Sequence, residues 1–551
     1  MSEDRAAPTP DKAPDIRSGG PACDPAARRR EVRVAVTICT LALAGGGTAY
    51  WCTAGGIGVT SDSPVYLSAA QSLLHGEGLT IAFGHHLGEP LTHHPPLFPV
   101  LLAGLGATGL SLIEAARLLN ATIFAANILL LGLLLWRATA GSWLAAFGAF
   151  VAAGDYLMFH VHIQIVTEPL FFLCLLTALW FLDRHLAGPR HALLIGAALA
   201  TAFAILTRYT GVALVWAALL ALLVLGRRRL AARVLDCLVF GMVACLPMAW
   251  WSLHNLTTAG TMADRQLVWH PAGRDYFLVA GRVIGQWLVP PPAADALRIA
   301  ALLASGLAGA ALLGGYWLTR HRRRDGSTNA ASQLLCLSGL VLICAAVFMI
   351  VSFSLFDAEA HLNLRYWSMF YLAGIVMLGC LIHVILATAG IRRAWRAALI
   401  LACALFALRC VLISAVLLPA RWHQGGGYTA KAWRDSALIA QVRQLRPDEM
   451  ICSNAPEAIW FLTGRPGVRA IPRKWSPYSA RANANYDKEL AGMANDLARA
   501  HGVIVYCRNQ ERTYLPGEAE LRQALPLVDL FEFRDGIIWR IRDSSPLPHS
   551  P

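Results

Sequence analysis

Runs of apolar residues close to twenty long recur between Val34 and Leu418. About twenty such residues in a helix match the ~30 Å hydrocarbon core of a bilayer. The repetition therefore predicts a polytopic, all-α membrane protein. Composition agrees, because 56% of the 551 residues are hydrophobic and only 15% are charged, less charge than a soluble chain carries.

The net charge of +13 does not indicate a nucleic-acid partner. Much of it lies in short clusters between apolar runs: "ARRREVR", "LGRRRLAAR", "RHRRRDG" and "GIRRAWR". Such clusters mark the cytoplasmic ends of spans. The first span is Val34–Cys52, read as a retained signal anchor behind a disordered cytoplasmic tail, 1–30. Further spans are expected at Leu118–Trp136, Ser142–Met158, Pro169–Leu182, Leu193–Leu206, Gly211–Leu225, Val234–Trp251, Leu297–Leu318, Leu334–Phe356, Trp367–Ile385 and Ala397–Leu418.

The stretch "LTHHPPLFPVLLAGLGATGL" tests the topology. If Leu97–Leu110 crossed the membrane, Arg227 to Arg233 and both later clusters (Arg320 to Arg324, Arg392 to Arg396) would fall outside. If it does not cross, every strong cluster falls inside. The run is also only about fourteen residues, short for a span. It is therefore expected at the outer interface, giving about eleven spans, an inner N-terminus and an outer C-terminus. The chain is expected in the cell membrane.

Two large outer loops follow, 55–117 and 254–292. The first has no Lys or Arg between Gly55 and Pro96, but holds Asp62, Glu77, Glu89 and the histidines His75, His85, His86, His93 and His94. The second contains "ADRQLVWHPAGRDYF" and ends in three prolines. After Leu418 helix-like and strand-like segments alternate, predicting a small extracytoplasmic α/β domain over 420–551. There "YTAKAWRDSALIAQVRQL" and "DKELAGMANDLARA" read as helices. "EMICSN" and "GVIVYCRN" read as buried strands, and "LVDLFEFRDGIIWRI" as a hairpin. Cys452 and Cys507 are the two thiols of this polar region and are available to pair in an oxidising compartment. No cysteine spacing suggests a metal knuckle.

Asp62, in "TSDSPVYLSAAQSLL", reads as a helix N-cap ahead of Pro64. It reads equally as a rigidly aimed carboxylate. Glu168 opens a span in "VTEPLF", where the helix dipole favours an acid, and acids at membrane depth are functional candidates. Arg208 in "LTRYTG" and Arg365 in "HLNLRYW" sit at outer ends of spans, where a guanidinium fork either anchors the helix or grips phosphate. Arg409 lies inside the last span and needs a partner.

Taken in order, "DSPVYLSAAQSLLHGEGL", "HHPPLFPVLL", "VTEPLF", "LTRYTG", "LRYW" and "ICSNAPEAIWFLTGRP" resemble the GT-C membrane glycosyltransferases. The branch is that of the protein O-mannosyltransferases and lipid A aminoarabinose transferases, and the resemblance covers about residues 34 to 470. It implies a GT-C-like fold and transfer of a sugar from a polyprenyl-phosphate carrier to an acceptor hydroxyl outside the cytoplasm. It implies Asp62 as the catalytic aspartate, with Ser63 where many members have Glu, and Glu168 as the second acidic position. Arg208 and His94 fall where relatives face the donor phosphate, and Arg365 and Tyr66 join them. Some relatives bind a divalent metal near that phosphate, and His270 is the nearest equivalent in this chain. The reaction expected is an inverting single displacement with Asp62 as general base. The acceptor would be a glycolipid, a polysaccharide or a protein. A glycolipid transporter or flippase, or an O-antigen ligase or polymerase, is the alternative.

Overall fold

The computed structural model describes residues 25–85, 87–289, 293–322, 330–356, 364–387 and 393–542. The tail up to residue 24, His86, the triple proline and Arg323, Arg324 and Arg392 of the basic clusters lie outside the described residues. Residues 25–30, expected in the tail, are instead the first turns of a helix.

That helix, α1 (Pro25–Cys52), is followed by α2 (Ser63–Leu74), the paired strands β1 (Thr80–Ile81) and β2 (Glu89–Pro90), and α3 (Leu97–Gly106). Then come α4 (Leu112–Ala138), α5 (Trp143–Gly154), α6 (Tyr156–His162), α7 (Glu168–Ala187), α8 (His191–Thr207), α9 (Val212–Leu225) and α10 (Leu230–Ala259). The series continues with α11 (Arg274–Gly285), α12 (Asp295–Arg322), α13 (Ala330–Leu355), α14 (Leu364–Leu386) and α15 (Arg393–Gln424). Among the described residues, α1, α4, α7, α10, α13, α14 and α15 are long and apolar enough to cross a membrane. Helices α5 and α6, bent by 55° at their junction, pass the same test together. Helices α8 and α9 are shorter, at 17 and 14 residues.

Helix α3 has ten residues and is about 15 Å long, half the thickness of the hydrocarbon core. It lies under α2, with the Tyr66 and Phe98 rings edge to face at 5.5 Å. Small residues let the long helices approach closely: a Cβ on Gly46 of α1 would stand 2.9 Å from the Ala121 carbonyl oxygen of α4. The large membrane core joins α1, α4, α7, α8, α9, α13 and α14.

Beyond α15 the order is α16 (Lys431–Arg434), α17 (Ala437–Gln444), β3 (Ile451–Ser453), α18 (Pro456–Thr463), β4 (Arg469–Ala470) and α19 (Tyr486–Arg499). It closes with β5 (Val503–Cys507), α20 (Glu518–Ala524), β6 (Leu527–Phe533) and β7 (Gly536–Ile541). The five strands form one mixed sheet in the order β4-β3-β5-β7-β6, with β3 parallel to both β4 and β5 and the rest antiparallel. The single helix expected over 428–445 is two, because the Ser436 hydroxyl accepts from the Ile439 amide at 3.1 Å and starts α17 afresh. Cys452 and Cys507 do not pair: both are free and buried. Cys452 lies opposite Ile504, three residues before Cys507 on the neighbouring strand. Side chains alternate between faces along a strand, so Cys452 packs with Ile504 and Tyr506 while Cys507 packs with Val503 and Val505.

This sheet does not stand apart from the membrane region. Its Val503, Val505 and Ile538 share one core with Ile57, Tyr66 and Phe98 of the segment between α1 and α4. Backbone bonds join the two: Gly84 N–H donates to the Val468 carbonyl (3.0 Å) and Ala470 N–H to the Gly84 carbonyl (2.9 Å). Val59 and Tyr428 are tied in the same way. The intervening Gly427 has φ +57, and a Cβ there would stand 2.0 Å from the Val59 carbonyl oxygen, so only glycine permits the approach.

Candidate active site

Three chain segments meet where α2, α7 and α14 begin. The turn before α2 is fixed to the turn before α7: Gly58 N–H donates to Ile163 O and Ile165 N–H to Gly58 O, both at 2.8 Å. The Ser63 hydroxyl donates to Ile165 O at 2.6 Å and accepts from Thr60 N–H at 2.8 Å. Ser63 thus performs the local turn bonding. Asp62 holds the N-cap position of α2, but its side chain makes no capping bond. The carboxylate turns away and accepts from Arg365 Nη2 at 3.0 Å.

Arg365, in the first turn of α14, also donates through Nε to Glu168 Oε1 at 3.0 Å. Arg208, just past the end of α8, reaches the same oxygen through Nη1 at 3.0 Å and donates to Thr167 Oγ1 at 2.9 Å. Four residues from four helix ends therefore form one network. Glu168 is closed off, its side chain 3% exposed, whereas the Asp62 side chain keeps 35% exposure. Burial alone would raise the Asp62 carboxyl; the Arg365 guanidinium, with His94 and Arg208, outweighs this and brings it down to about 2. Asp62 is ionised throughout the physiological range.

On the other side of Asp62 lies a row of rings. The Tyr66 hydroxyl stands 3.4 Å from His94 Nδ1. His94 meets His93 edge to face at 4.8 Å, and His93 meets Tyr478 at 4.9 Å. Burial chiefly lowers the His94 imidazole to about 4, despite the opposing pull of Asp62. His94 is therefore neutral at pH 7 and would meet a phosphate as a hydrogen-bonding group, not as a cation. Burial also raises the Tyr66 hydroxyl above its ordinary range.

The His270 amide donates to Ser354 O at 2.9 Å at the end of α13, and its buried Nε2 has no hydrogen-bond partner among the described residues. Among the described residues, no group of three or more His, Cys, Asp or Glu side chains is arranged to hold a metal ion. Arg409 finds its partner at the α5–α6 bend, where Nη1 donates to Asp155 Oδ2 at 2.5 Å while Asp155 Oδ1 caps α6 at Leu157 N–H. The pair lines a cavity of about 460 Å³ whose other walls include Leu364, Leu412 and Val416. His160 joins Tyr156 and Arg421 at 3.1 and 3.3 Å. His162 is a core residue, bonded to Met158 O and Asn127.

The tertiary structure adds residues that the motifs did not single out. Arg265 lies over the Tyr209 ring at 5.9 Å, and the Tyr209 hydroxyl donates to Thr92 O at 3.1 Å, next to His93. Arg473 stands over Tyr514 at 5.8 Å. The mixture of basic and aromatic residues in "IPRKWSPY", between a strand and a helix, was the available signal for Arg473 and Tyr478.

No curated protein matches this chain in sequence. Residues 93–251 match the family model "Dolichyl-phosphate-mannose-protein mannosyltransferase". The structure of ArnT from Cupriavidus metallidurans in the apo state aligns with TM-score 0.55 and 14% identity over 90% of this chain and 96% of that one. ArnT bound to undecaprenyl phosphate aligns with TM-score 0.50 and 14% identity, over 94% and 98%. The arabinofuranosyltransferase AftD from Mycobacteria gives TM-score 0.51 and 14% identity, over 93% of this chain but 40% of AftD. At such identity the likeness is one of fold. The motif resemblance is thus met by both comparisons: this multi-pass membrane chain has the fold of the GT-C glycosyltransferases, and its residues 93–251 match their mannosyltransferase family.

Proposed function

We propose that the protein is an integral-membrane glycosyltransferase that moves a sugar from a polyprenyl-phosphate donor to an acceptor hydroxyl on the extracytoplasmic face. The observation that carries this reading is Asp62: an ionised, partly accessible carboxylate, held 3.0 Å from Arg365 beside the row Tyr66–His94–His93. A sugar on a lipid phosphate already has a good leaving group, so the protein need only orient the acceptor and stabilise charge. A carboxylate drawn down to about 2 is a weak base, suited to a proton that leaves late, once the new bond has acidified the acceptor oxygen. One displacement inverts the anomeric centre. The acceptor proton passes to Asp62 and the bonding pair departs with the phosphate.

In this reading eleven spans, including α8, α9 and α12, put the N-terminus in the cytoplasm and the sheet outside the cell membrane. The acceptor is a glycolipid, a polysaccharide or a protein. Among the described residues neither His270 nor His94 belongs to a group of three or more His, Cys, Asp or Glu side chains that could hold a metal ion, and the roles given above are derived for the protein's own side chains.

The test compares envelope glycans by mass spectrometry between a deletion strain and strains complemented with wild type or Asp62→Asn. Loss of one sugar that only wild type restores is the expected result. Full activity of a well-expressed Asp62→Asn protein refutes the assignment. A flippase is favoured by one feature, the Asp155–Arg409 pair on the 460 Å³ cavity. A flippase would give no sugar transfer in detergent.

A further inference from the structure

The charges of the network raise a problem that its geometry then answers. Two carboxylates, Asp62 and Glu168, face two guanidiniums, Arg208 and Arg365. The four together offer an anion no net charge. A phosphodiester carries one negative charge, and a site that neutralises its own arginines gains little from Coulomb attraction. Two further guanidiniums lie across the ring row. Arg265, from the α10–α11 segment, stands over Tyr209, whose hydroxyl bonds Thr92 O beside His93. Arg473 comes from the segment between β4 and α19. Both are near enough to His93 that, after burial and His94, they are among the groups disfavouring its protonation. Asp264 is the acid placed among them, and burial raises its carboxyl even against both arginines. His93 Nδ1 is buried, with no hydrogen-bond partner among the described residues. Tyr478, five residues after Arg473, covers the His93 ring at 4.9 Å.

The C-terminal segment is held here firmly. Lys474 N–H donates to Tyr514 O at 2.9 Å, Asn483 Nδ2 to Arg473 O at 3.0 Å, and the Arg473 guanidinium lies over the Tyr514 ring. Through β4 the same segment is bonded to Gly84 of the first outer loop.

We infer that Arg473 and Tyr478, from the region after the last membrane helix, complete a lipid-phosphate site with Arg265 and the His93–His94 pair. The ligand is the phosphate of a polyprenyl phosphate, free or sugar-linked. Arg473 supplies charge and Tyr478 an aromatic wall. The region beyond α15 is then part of the binding site itself. This rests on the transfer reading above and goes beyond it in giving the region after α15 a share of the phosphate site.

The test uses the purified full-length protein in detergent, with undecaprenyl phosphate and the uncharged undecaprenol as probes. Wild type is expected to bind the phosphate at least about tenfold more tightly than the alcohol, with the preference falling as salt rises. Arg473→Ala should lose most of that preference and leave undecaprenol binding unchanged; Arg473→Lys should keep part of it. If Arg473→Ala does not fold, Arg473→Gln, which retains the stem over Tyr514, carries the test. Inorganic phosphate should compete only at far higher concentration. Competition at equal concentration would make this a free-phosphate site and overturn the lipid assignment. An Arg473 variant with full phosphate preference overturns the inference. So does loss confined to Arg421→Ala, which would move the anion to the α15 side. A wild type with no phosphate preference refutes the transfer reading and this inference with it.

Discussion

Helix α7 carries a buried acid at each end, and the two ends are built differently. At its start Glu168 is shared by Arg208 and Arg365, and Arg365 passes on to the partly open Asp62. In its last turns Asp183 accepts from Arg137 Nε at 2.9 Å and from Gln333 Nε2 at 2.7 Å, and Gln333 also takes the Asp183 backbone oxygen. The Asp183 side chain is 3% exposed and the group leads nowhere. Both ends satisfy a buried charge, as they must. Only the Glu168 end chains its charges to a partly exposed carboxylate, Asp62. Buried ion pairs are thus no guide to function by themselves; an accessible group at the end of the network is.

The comparison can be broken at either end. The largest effect is expected from Asp62→Asn, with transfer falling by about a hundredfold or more at unchanged folded yield. Asp183→Asn should keep its activity per folded molecule. Equal activity losses in the two variants would erase the distinction. Next is Arg365→Leu, which leaves Glu168 with one guanidinium and Asp62 with none within bonding distance. Breaking one partner of a buried pair costs about 3–5 kcal/mol, read as a drop in thermal midpoint. In any folded fraction the Asp62 carboxyl should titrate above its present value of about 2, moving the acid limb of the rate upward.

A smaller effect is expected from replacing Arg137 and Asp183 together by Met and Leu. An apolar pair of similar volume is roughly neutral when both charges go, so stability should stay within about 1 kcal/mol while Asp183→Leu alone destabilises. The last comparison concerns pH. His94 titrates at about 4 in the fold against about 6.5 when exposed. The folded state binds fewer protons between those values, so this contribution is full above about 6.5 and declines as pH falls toward 4. His94→Asn should flatten the fall in thermal midpoint between about pH 7 and 5; an unchanged slope would place the effect elsewhere.

Much of this architecture was legible in the chain. Apolar run length marked the long helices, and "LFPVLLAGLG" marked α3 as a helix of about half the length of a span. Strand and hairpin patterns located β3, β5, β6 and β7. The ordered motifs also named Asp62, Glu168, Arg208, Arg365, Tyr66 and His94, which the fold does bring together. What misled was local reasoning carried too far. The N-cap position of Asp62 did not fix where its carboxylate points, since Ser63 took over the turn. Two cysteines in one polar region were not a pair, because strand alternation sent them to opposite faces.

The sequence by itself determined that this chain lives in a membrane, which segments are helices, and which polar residues stand at helix ends. Those properties follow from periodicity and hydropathy, which are local. Only the tertiary structure decided that Arg365 bridges Asp62 and Glu168 across hundreds of residues of chain, that Arg409 belongs to Asp155, and that Arg473 and Tyr478 return to His93. Such partnerships depend on which helix ends pack side by side. Packing is set by the whole shared core and not by any one segment.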